Sequence, residues 1–477
     1  MDIKEFNHTK IIATLGPATE SPEKIRELIK AGVDVFRLNT SHGTMEEHGL
    51  RVKNIRKISE ETEEHLTILV DLQGPKIRVG NMAATIMLKD SEEVTLIYAN
   101  SSTDPKIIPV DYEGLFDGLK PGERILLNDG RIELKIKTVK EKSVLAIVIN
   151  GGELSSRKGI NVPGATFHIP AVTERDKTFI KFAVEHNVDY IAQSFVRTAG
   201  DVLEVRKEMA AYHAYIPVIA KIEKPQAIEN IDDIINVADG IMVARGDLGV
   251  EMSPEEVPLL QKMIIQKSNL AMKPVIVATQ MLESMIEEPV PTRAETNDVA
   301  NAILDGGDAV MLSAETTVGK FPIKAVEMMN KIAATIESSP VYEEMYKIYA
   351  QMDNHNSKEH KRDIQITRLF NDLDIKAIIA ITTSGYTARL LSKAKVLPPI
   401  IAVSNDQTLC CQLNLLWGVI PYKTNLKLEF SESFLHSITG ELKKDKLLKA
   451  RDKVIVLAGL PYFSINKTTH IRFLEIN

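Results

Sequence analysis

The sequence predicts an α/β chain: a (β/α)8 barrel, interrupted by a small β-barrel lid and followed by an open α/β domain. Three features carry this prediction. Eight short, nearly continuous apolar runs lie between Lys10 and Leu312, as strands buried on both faces do. Segments with helical spacing separate these runs, except after the third. There, from Lys76 to about Pro170, the chain shows only short alternating runs and no convincing amphipathic helix. The expected limits are 1–75 and 171–340 for the barrel, 76–170 for the lid and 341–477 for the C-terminal domain.

The elements follow in order. The first strand is 10–15, stopped by Gly16-Pro17. Ser21 caps the next helix, with Pro22 at its first position. Ile25, Leu28 and Ile29 recur at helical spacing, and Gly32 ends the helix. The second strand, 33–38, leads through Asn39, Thr40, Ser41, His42 and Gly43 into a charged helix reaching about Glu60. The third strand, 67–72, runs into QGPKIRVG. Within the lid, Asn128-Asp129-Gly130 forms a hairpin-type turn. Residues 131–139 then alternate, with Ile132, Leu134 and Ile136 on one side, and 144–149 is a further run. The loop NVPGATFHIP closes the insertion. Barrel strands resume at 190–195, 217–222, 240–244, 274–279 and 308–312. A polar break carrying Pro340 is expected near 338–356. Beyond it, 375–381, 400–403, a run near Val419 and 453–457 make the smaller sheet.

Composition narrows the function. A chain of 477 residues holds two or three domains, and 44% hydrophobic with 26% charged residues describes a soluble globular protein. A net charge of −7 argues against a general nucleic-acid or acidic-membrane surface. No apolar run approaches the ~20 residues of a membrane helix, and the N-terminal MDIKEFNHTK lacks a signal-type apolar core. The only cysteines, Cys410 and Cys411, are adjacent and poorly placed to cross-link, which fits a reducing cytoplasm.

Barrel enzymes place their chemistry at the carboxyl ends of the strands. Those ends carry Arg37 and Asn39, Asp71, Ser194, Lys221 and Glu223, Asp247, Thr279, and Ser313 with Glu315. The densest stretch is 216–251, read as strand, helix, strand. Lys221 and Glu223 stand two apart and share a face, and Asp247 arrives from the neighbouring strand. Two carboxylates beside a lysine suit a divalent metal and an anionic, phosphorylated substrate. A buried salt bridge is the plainer reading of that segment taken alone. For single residues the plainer readings are a solvated loop histidine for His42, a helix cap for Ser313, a packing β-branched residue for Thr279, core packing for Met281 and Met285, and a hinge surface charge for Arg78.

The stretches TKIIATLGPAT, FRLNTSHG, DLQGPKIR, SRKGINVPG, IAKIEKPQAI, MVARGDLGVE, VIVATQMLESM, PTRAETNDVANAI and DAVMLSAET stand together in this order. With them the chain resembles the pyruvate kinase family over nearly its whole length. The resemblance implies transfer of the phosphoryl group of phosphoenolpyruvate to ADP, giving pyruvate and ATP, as the last step of glycolysis. It implies a barrel, a lid and a C-terminal regulatory domain, in a homotetramer. It further implies that Glu223 and Asp247 hold Mg²⁺ (or Mn²⁺), and that Lys221 stabilises charge between the transferring phosphoryl and the enolate oxygen. Arg37 and Arg78 would clamp phosphate, and Gly246 would let the 244–248 backbone approach the substrate carboxylate. Thr279 would stand near the enolate carbon, with Ser313 and Glu315 at the far end of a proton relay. Asn39, His42, Arg78 and Lys158 would serve the nucleotide. Asn39, Ser41, Asp71 and Leu72 would form a monovalent-cation site for K⁺.

Two departures stand out. The family's commoner form has Glu where this chain has Lys76. A lysine there is expected to put its ammonium near the monovalent site and make K⁺ dispensable. In the C-terminal domain, Thr382, Thr383, Ser384, Gly385 and Thr387 resemble the family's effector-phosphate loop, and hydroxyls with a glycine before a helix make an anion nest. The later loop 459–469 lacks the glycine-rich form of relatives that respond to fructose 1,6-bisphosphate, so the expected effector is a phosphorylated metabolite of unspecified kind. The competing readings are a Mg²⁺-dependent barrel lyase acting on pyruvate enolates and a non-catalytic effector-binding relative.

Overall fold

The computed structural model describes residues 6–165, 167, 169–351, 369–458 and 470–476. Eight parallel strands close into a barrel: β1 (Lys10–Thr14), β2 (Val35–Asn39), β3 (Thr67–Asp71), β4 (Tyr190–Gln193), β5 (Val218–Ile222), β6 (Gly240–Ala244), β7 (Val275–Ala278) and β8 (Ala309–Leu312). Each lies between its chain neighbours, and β8 closes on β1. Every residue of β1, β3, β5 and β6 is buried, which explains why the strands were legible as unbroken apolar runs. Inside the barrel, Ile12, Val35, Leu69, Ile219, Met242 and Ile276 fill the lumen. Helix α1 (Pro22–Ala31) begins at the Ser21 cap and ends at Gly32, whose φ of 111° no β-carbon would tolerate comfortably. Helix α2 (Met45–Thr62) starts with a capping box between Thr44 and Glu47.

The insertion has its own core, including Val94, Leu96, Ile125, Leu134, Ile136 and Val144. Six of its strands make one sheet, and the only helical turn between Lys76 and Pro170 among the described residues is the short Glu113–Leu115. The expected hairpin joins Arg124–Leu127 to Ile132–Lys140. Asn128, Asp129 and Gly130 there take φ of 53°, 56° and 80°, the left-handed region these residue types tolerate best. The expected break at 338–356 is replaced over much of its length by a helix, Pro340–Gln351. Pro340 opens that helix, where a missing N–H costs nothing.

The C-terminal sheet runs in the order β11-β10-β9-β12-β13, from β9 (Ala377–Ile381), β10 (Ile400–Ser404), β11 (Val419–Lys423), β12 (Lys453–Ala458) and β13 (His470–Glu475). Only β13, a strand absent from the sequence expectation, is antiparallel to its neighbour. Helix α4 (Tyr386–Lys393) follows β9, and α5 (Gln407–Leu413) follows β10. In the barrel, helix α3 (Arg245–Glu251) follows β6. This domain seats on the amino-terminal foot of the barrel. Leu415 joins the lumen core. Thr67 Oγ1 donates to the Cys411 carbonyl at 2.5 Å, the Tyr190 hydroxyl to Gln412 O at 2.9 Å, and Lys10 Nζ to Val419 O at 2.8 Å. Lys393 and Lys395 both pair with Asp308, one residue before β8. Among the described residues no helix is long and apolar enough to cross a membrane.

Candidate active site

The site gathers at the carboxyl rim of the barrel, opposite the C-terminal domain. Register brings Asn39 level with Asp71 across β2 and β3. Arg37 turns its fork onto Asp71, with Nε and Nη2 each 2.7 Å from Oδ2, while Nη1 reaches Thr14 Oγ1 at 2.9 Å. The other Asp71 oxygen faces Lys221 Nζ at 3.2 Å and the Ser194 hydroxyl at 3.3 Å. Lys221 Nζ also meets Ser194 Oγ at 2.6 Å and Glu223 Oε1 at 3.0 Å. Glu223 Oε2 accepts the Phe195 N–H at 2.7 Å. Lys221 and Glu223 therefore project together, as the two-residue spacing requires.

These groups are all buried, so their charges act strongly on one another. Burial raises the Asp71 carboxyl, but Lys221 and Arg37 outweigh it and leave it below its ordinary range. Burial pulls the Lys221 ammonium down, yet Asp71 and Glu223 overcome that and hold it above the usual lysine value. Glu223 goes the other way: burial pushes it up, Lys221 opposes, and the charge of Asp247 adds to the rise. A carboxylate pair in mutual repulsion at an open rim is what a hard divalent cation would relieve. Asp247 is 30% exposed, and its Oδ2 takes no hydrogen bond among the described residues. No cluster of three or more His, Cys, Asp or Glu side chains forms a ready metal cage among the described residues. The donor set thus fits an ion with two protein carboxylates and room for substrate oxygens.

On the next strands, Thr279 Oγ1 accepts the Gly246 N–H at 2.7 Å and donates to Ala278 O at 2.6 Å. Arg245 Nη2 donates to Thr279 O at 2.8 Å, with Nη1 on Asp298 at 2.6 Å. Thr279 and Gln280 take φ of 72° and 55°. A β-branched residue there is a genuine outlier, held by its neighbours. Ser313 does not cap its short helix with its side chain. Glu315 is buried and accepts the N–H groups of Ser313 at 2.7 Å and Leu282 at 3.2 Å; burial raises its carboxyl. No hydrogen bond among the described residues joins Thr279 to Ser313 or Glu315, so the expected relay is not a direct one.

The residues expected to serve the nucleotide and the monovalent cation are more dispersed. Ser41 N–H donates to Asn39 Oδ1 at 3.1 Å, and Leu72 O accepts the Ser194 hydroxyl at 2.8 Å, so Asn39, Ser41, Asp71 and Leu72 do share a corner. His42 is exposed; partial burial and the guanidiniums of Arg78, Arg37 and Arg175 hold it below the ordinary histidine value. Arg78 is half-buried on the lid and donates from Nη1 to Arg157 O at 3.0 Å, while Lys158 is exposed on the lid. Lys76 corrects an expectation. Its ammonium is not held in the Asn39–Asp71 corner. It lies 3.1 Å from Asp247 Oδ1 and 3.4 Å from Asp129 Oδ1, because a lysine leaving the hinge on this side reaches the Asp247 carboxylate first. Those carboxylates outweigh its burial and raise its pKa.

Sequence reasoning missed Asp129, which it read only as a turn residue, and Thr14 and Asp298, which support Arg37 and Arg245. It also missed Glu251, which accepts Asn161 Nδ2 from the insertion at 2.6 Å and pairs with Lys224 within the barrel. In the C-terminal domain, Thr382 Oγ1 accepts the Gly385 N–H at 2.8 Å, and Gly385 sits at φ 79° before α4. Thr383 and Ser384 are exposed at that turn, whereas Thr387 is buried. The loop 459–469 lies outside the described residues.

Two family models match, the pyruvate kinase barrel domain over residues 6–326 and the pyruvate kinase alpha/beta domain over residues 365–472. Among curated relatives, the pyruvate kinase of Thermococcus litoralis is 43% identical, over 98% of this chain and 98% of its own. That of Geobacillus stearothermophilus is 42% identical over 95% of this chain and 78% of its own, and that of Agrobacterium vitis 40% identical over 100% and 98%. With the closed barrel, the separate C-terminal α/β domain and these matches across the whole length, the chain belongs to the pyruvate kinase family.

Proposed function

We propose that the chain transfers the phosphoryl group of phosphoenolpyruvate to ADP, giving pyruvate and ATP. The observation that carries this reading is the Lys221 ammonium, buried 3.0 Å from Glu223 and 3.2 Å from Asp71 beside the Arg37 fork. Phosphoryl transfer asks for positioning and charge neutralisation rather than covalent chemistry. Lys221 is already charged and already placed, so it needs no reorganisation as charge develops on the bridging oxygen. Arg37, its fork locked on Asp71 and Thr14, adds a fixed positive charge beside the phosphate oxygens. Backbone N–H groups at the start of α3, where Gly246 has no side chain, receive the substrate carboxylate. Thr279 Oγ1 stands beside that turn and delivers the proton to the enolate carbon through its hydroxyl, with Ser313 next in line by way of water. Glu315, committed to two backbone N–H groups, holds the end of β8 in place. Glu223 and Asp247 would hold Mg²⁺ or Mn²⁺, which when bound supplies charge neutralisation for the phosphoryl oxygens.

We assign the nucleotide to the side of Asn39, His42, Arg78 and Lys158, the last two brought in on the lid. K⁺ is dispensable in this reading, because Lys76 brings an ammonium of its own to this rim of the barrel. The Thr382–Gly385 turn with Thr387 takes a phosphorylated effector, and the chain works as a cytoplasmic homotetramer with Cys410 and Cys411 buried and unpaired. A barrel lyase acting on pyruvate enolates has no use for ADP or a lid. The test is an assay of pyruvate formation from phosphoenolpyruvate and ADP with Mg²⁺, in tetramethylammonium buffer with and without KCl. Turnover dependent on ADP and indifferent to KCl is expected. Turnover without ADP would overturn the reaction, and strong activation by KCl would overturn the role of Lys76. For the effector turn, a thermal-shift panel of sugar phosphates and AMP should give at least one stabilising ligand whose effect Thr382→Ala removes; no response from any of them would reject the site.

A further inference from the structure

Lys76 ties three parts of the molecule together with one ammonium. The residue lies just past the hinge, where Gly74 takes φ 66° and donates its N–H to Asp176. The ammonium reaches Asp247 on the barrel's α3 and Asp129 at the tip of the lid hairpin. It also lies 5.9 Å from the centre of the Phe195 ring. The side chain keeps only 17% of its exposure. Its stem is confined by the lid backbone: a β-carbon on Gly159 would stand 2.5 Å from Lys76 Cε. The hairpin meets α3 a second time, since a β-carbon on Gly130 would stand 3.6 Å from Val250. The contact is therefore a built lid-to-barrel latch and not a surface lysine resting on a nearby acid.

We propose that Lys76 is the internal counter-cation of Asp247, which a divalent cation must displace, so that metal binding and lid latching compete. The inference rests on the reading of Glu223 and Asp247 as the divalent pair. Asp247 has one negative charge to share. An ammonium 3.1 Å away and a divalent ion on the same carboxylate repel each other strongly in this partly buried site. The displaced ammonium keeps a second partner in Asp129, so it leaves Asp247 without being stranded. With Lys76 on Asp247 the lid tip is held down on α3. Cation binding removes one of the links that hold it there and gives the lid freedom to reset around substrate.

The experiment measures Mn²⁺ binding to the full chain by electron paramagnetic resonance, without substrate. Lys76→Met should bind Mn²⁺ about tenfold more tightly than wild type, equal to about 1.4 kcal/mol. Lys76→Arg, which keeps the charge, should stay close to wild type, and Asp247→Asn should lose the tight site. Hydrogen exchange at 128–131 should rise on adding Mn²⁺ to wild type, and be high and unresponsive in Lys76→Met. Unchanged or weaker Mn²⁺ binding in Lys76→Met, with Asp247→Asn still deficient, overturns the counter-cation role and leaves the divalent pair standing. Equal tightening in Lys76→Arg also overturns it, since packing rather than charge would then be the cause. Tight Mn²⁺ binding retained in Asp247→Asn overturns both.

Discussion

Thr279 carries an unusual burden for a single residue. It is β-branched yet held at φ 72°, and its hydroxyl accepts the Gly246 N–H. Such strain persists only where surroundings over-determine it, and here Arg245 and Gly246 do so. If Thr279 delivers the proton to the enolate carbon, Thr279→Val should lower kcat by about 10²-fold with little change in the KM for phosphoenolpyruvate, while Thr279→Ser keeps most of the activity. Steady-state kinetics, with circular dichroism to verify folding, checks this; a loss confined to KM would contradict it. At this scale the sequence was partly legible. Lys221, Glu223 and Arg37 could be placed because strand periodicity fixes which face they share. The φ of Thr279 could not, since nothing local demands a left-handed threonine. The partner of Lys76 could not either, because a flexible four-carbon stem reaches several carboxylates and only the folded lid chooses between them.

Among elements, the barrel strands were the clearest in the sequence, because burial on both faces leaves no polar interruption. The lid hairpin was legible from Asn128-Asp129-Gly130, whose residue types suit positive φ. Two elements were not. The helix Pro340–Gln351 hid behind a polar composition and a proline that tolerates a helix start. Strand β13 hid because Ile471 and Phe473 are exposed, so its alternation has no buried face to announce it. The segment after α5 does more than link two strands: Leu415 enters the barrel lumen from below. Leu415→Ala should therefore destabilise the protein by about 2–5 kcal/mol through the cavity it leaves, read as a lowered urea midpoint. A change near zero would mean that the foot of the barrel is closed without it.

Across the whole molecule, the C-terminal domain and barrel meet around a buried charge imbalance. Asp308 faces both Lys393 and Lys395, and neither Asp308 nor Lys393 has any exposed side-chain surface. One carboxylate offsets one ammonium. Burial therefore pulls Lys393 down to about 8, with the repulsion of Lys395 helping and Asp308 opposing. Its unfolded value is near 10.5, so between pH 8 and about 10.5 the unfolded chain binds more protons than the folded one. Stability from this group therefore rises with pH across that window and is flat below it. Thermal midpoints of wild type should gain on those of Lys393→Met as pH rises from 8 to 10; parallel curves would show that Lys393 does not titrate there. This joint links α4, which begins at the Thr382–Gly385 turn, to the foot of β8, whose other end leads to Ser313 and Glu315.

The central claim is that a preplaced ammonium at the barrel rim neutralises a phosphoryl group in transfer. Its most direct measurement is kcat for pyruvate formation from phosphoenolpyruvate and ADP, at saturating Mg²⁺, in wild type and Lys221→Met. The expected result is a loss of about 10²–10³-fold in kcat with the fold intact; a Lys221→Met enzyme within about tenfold of wild type would contradict the claim.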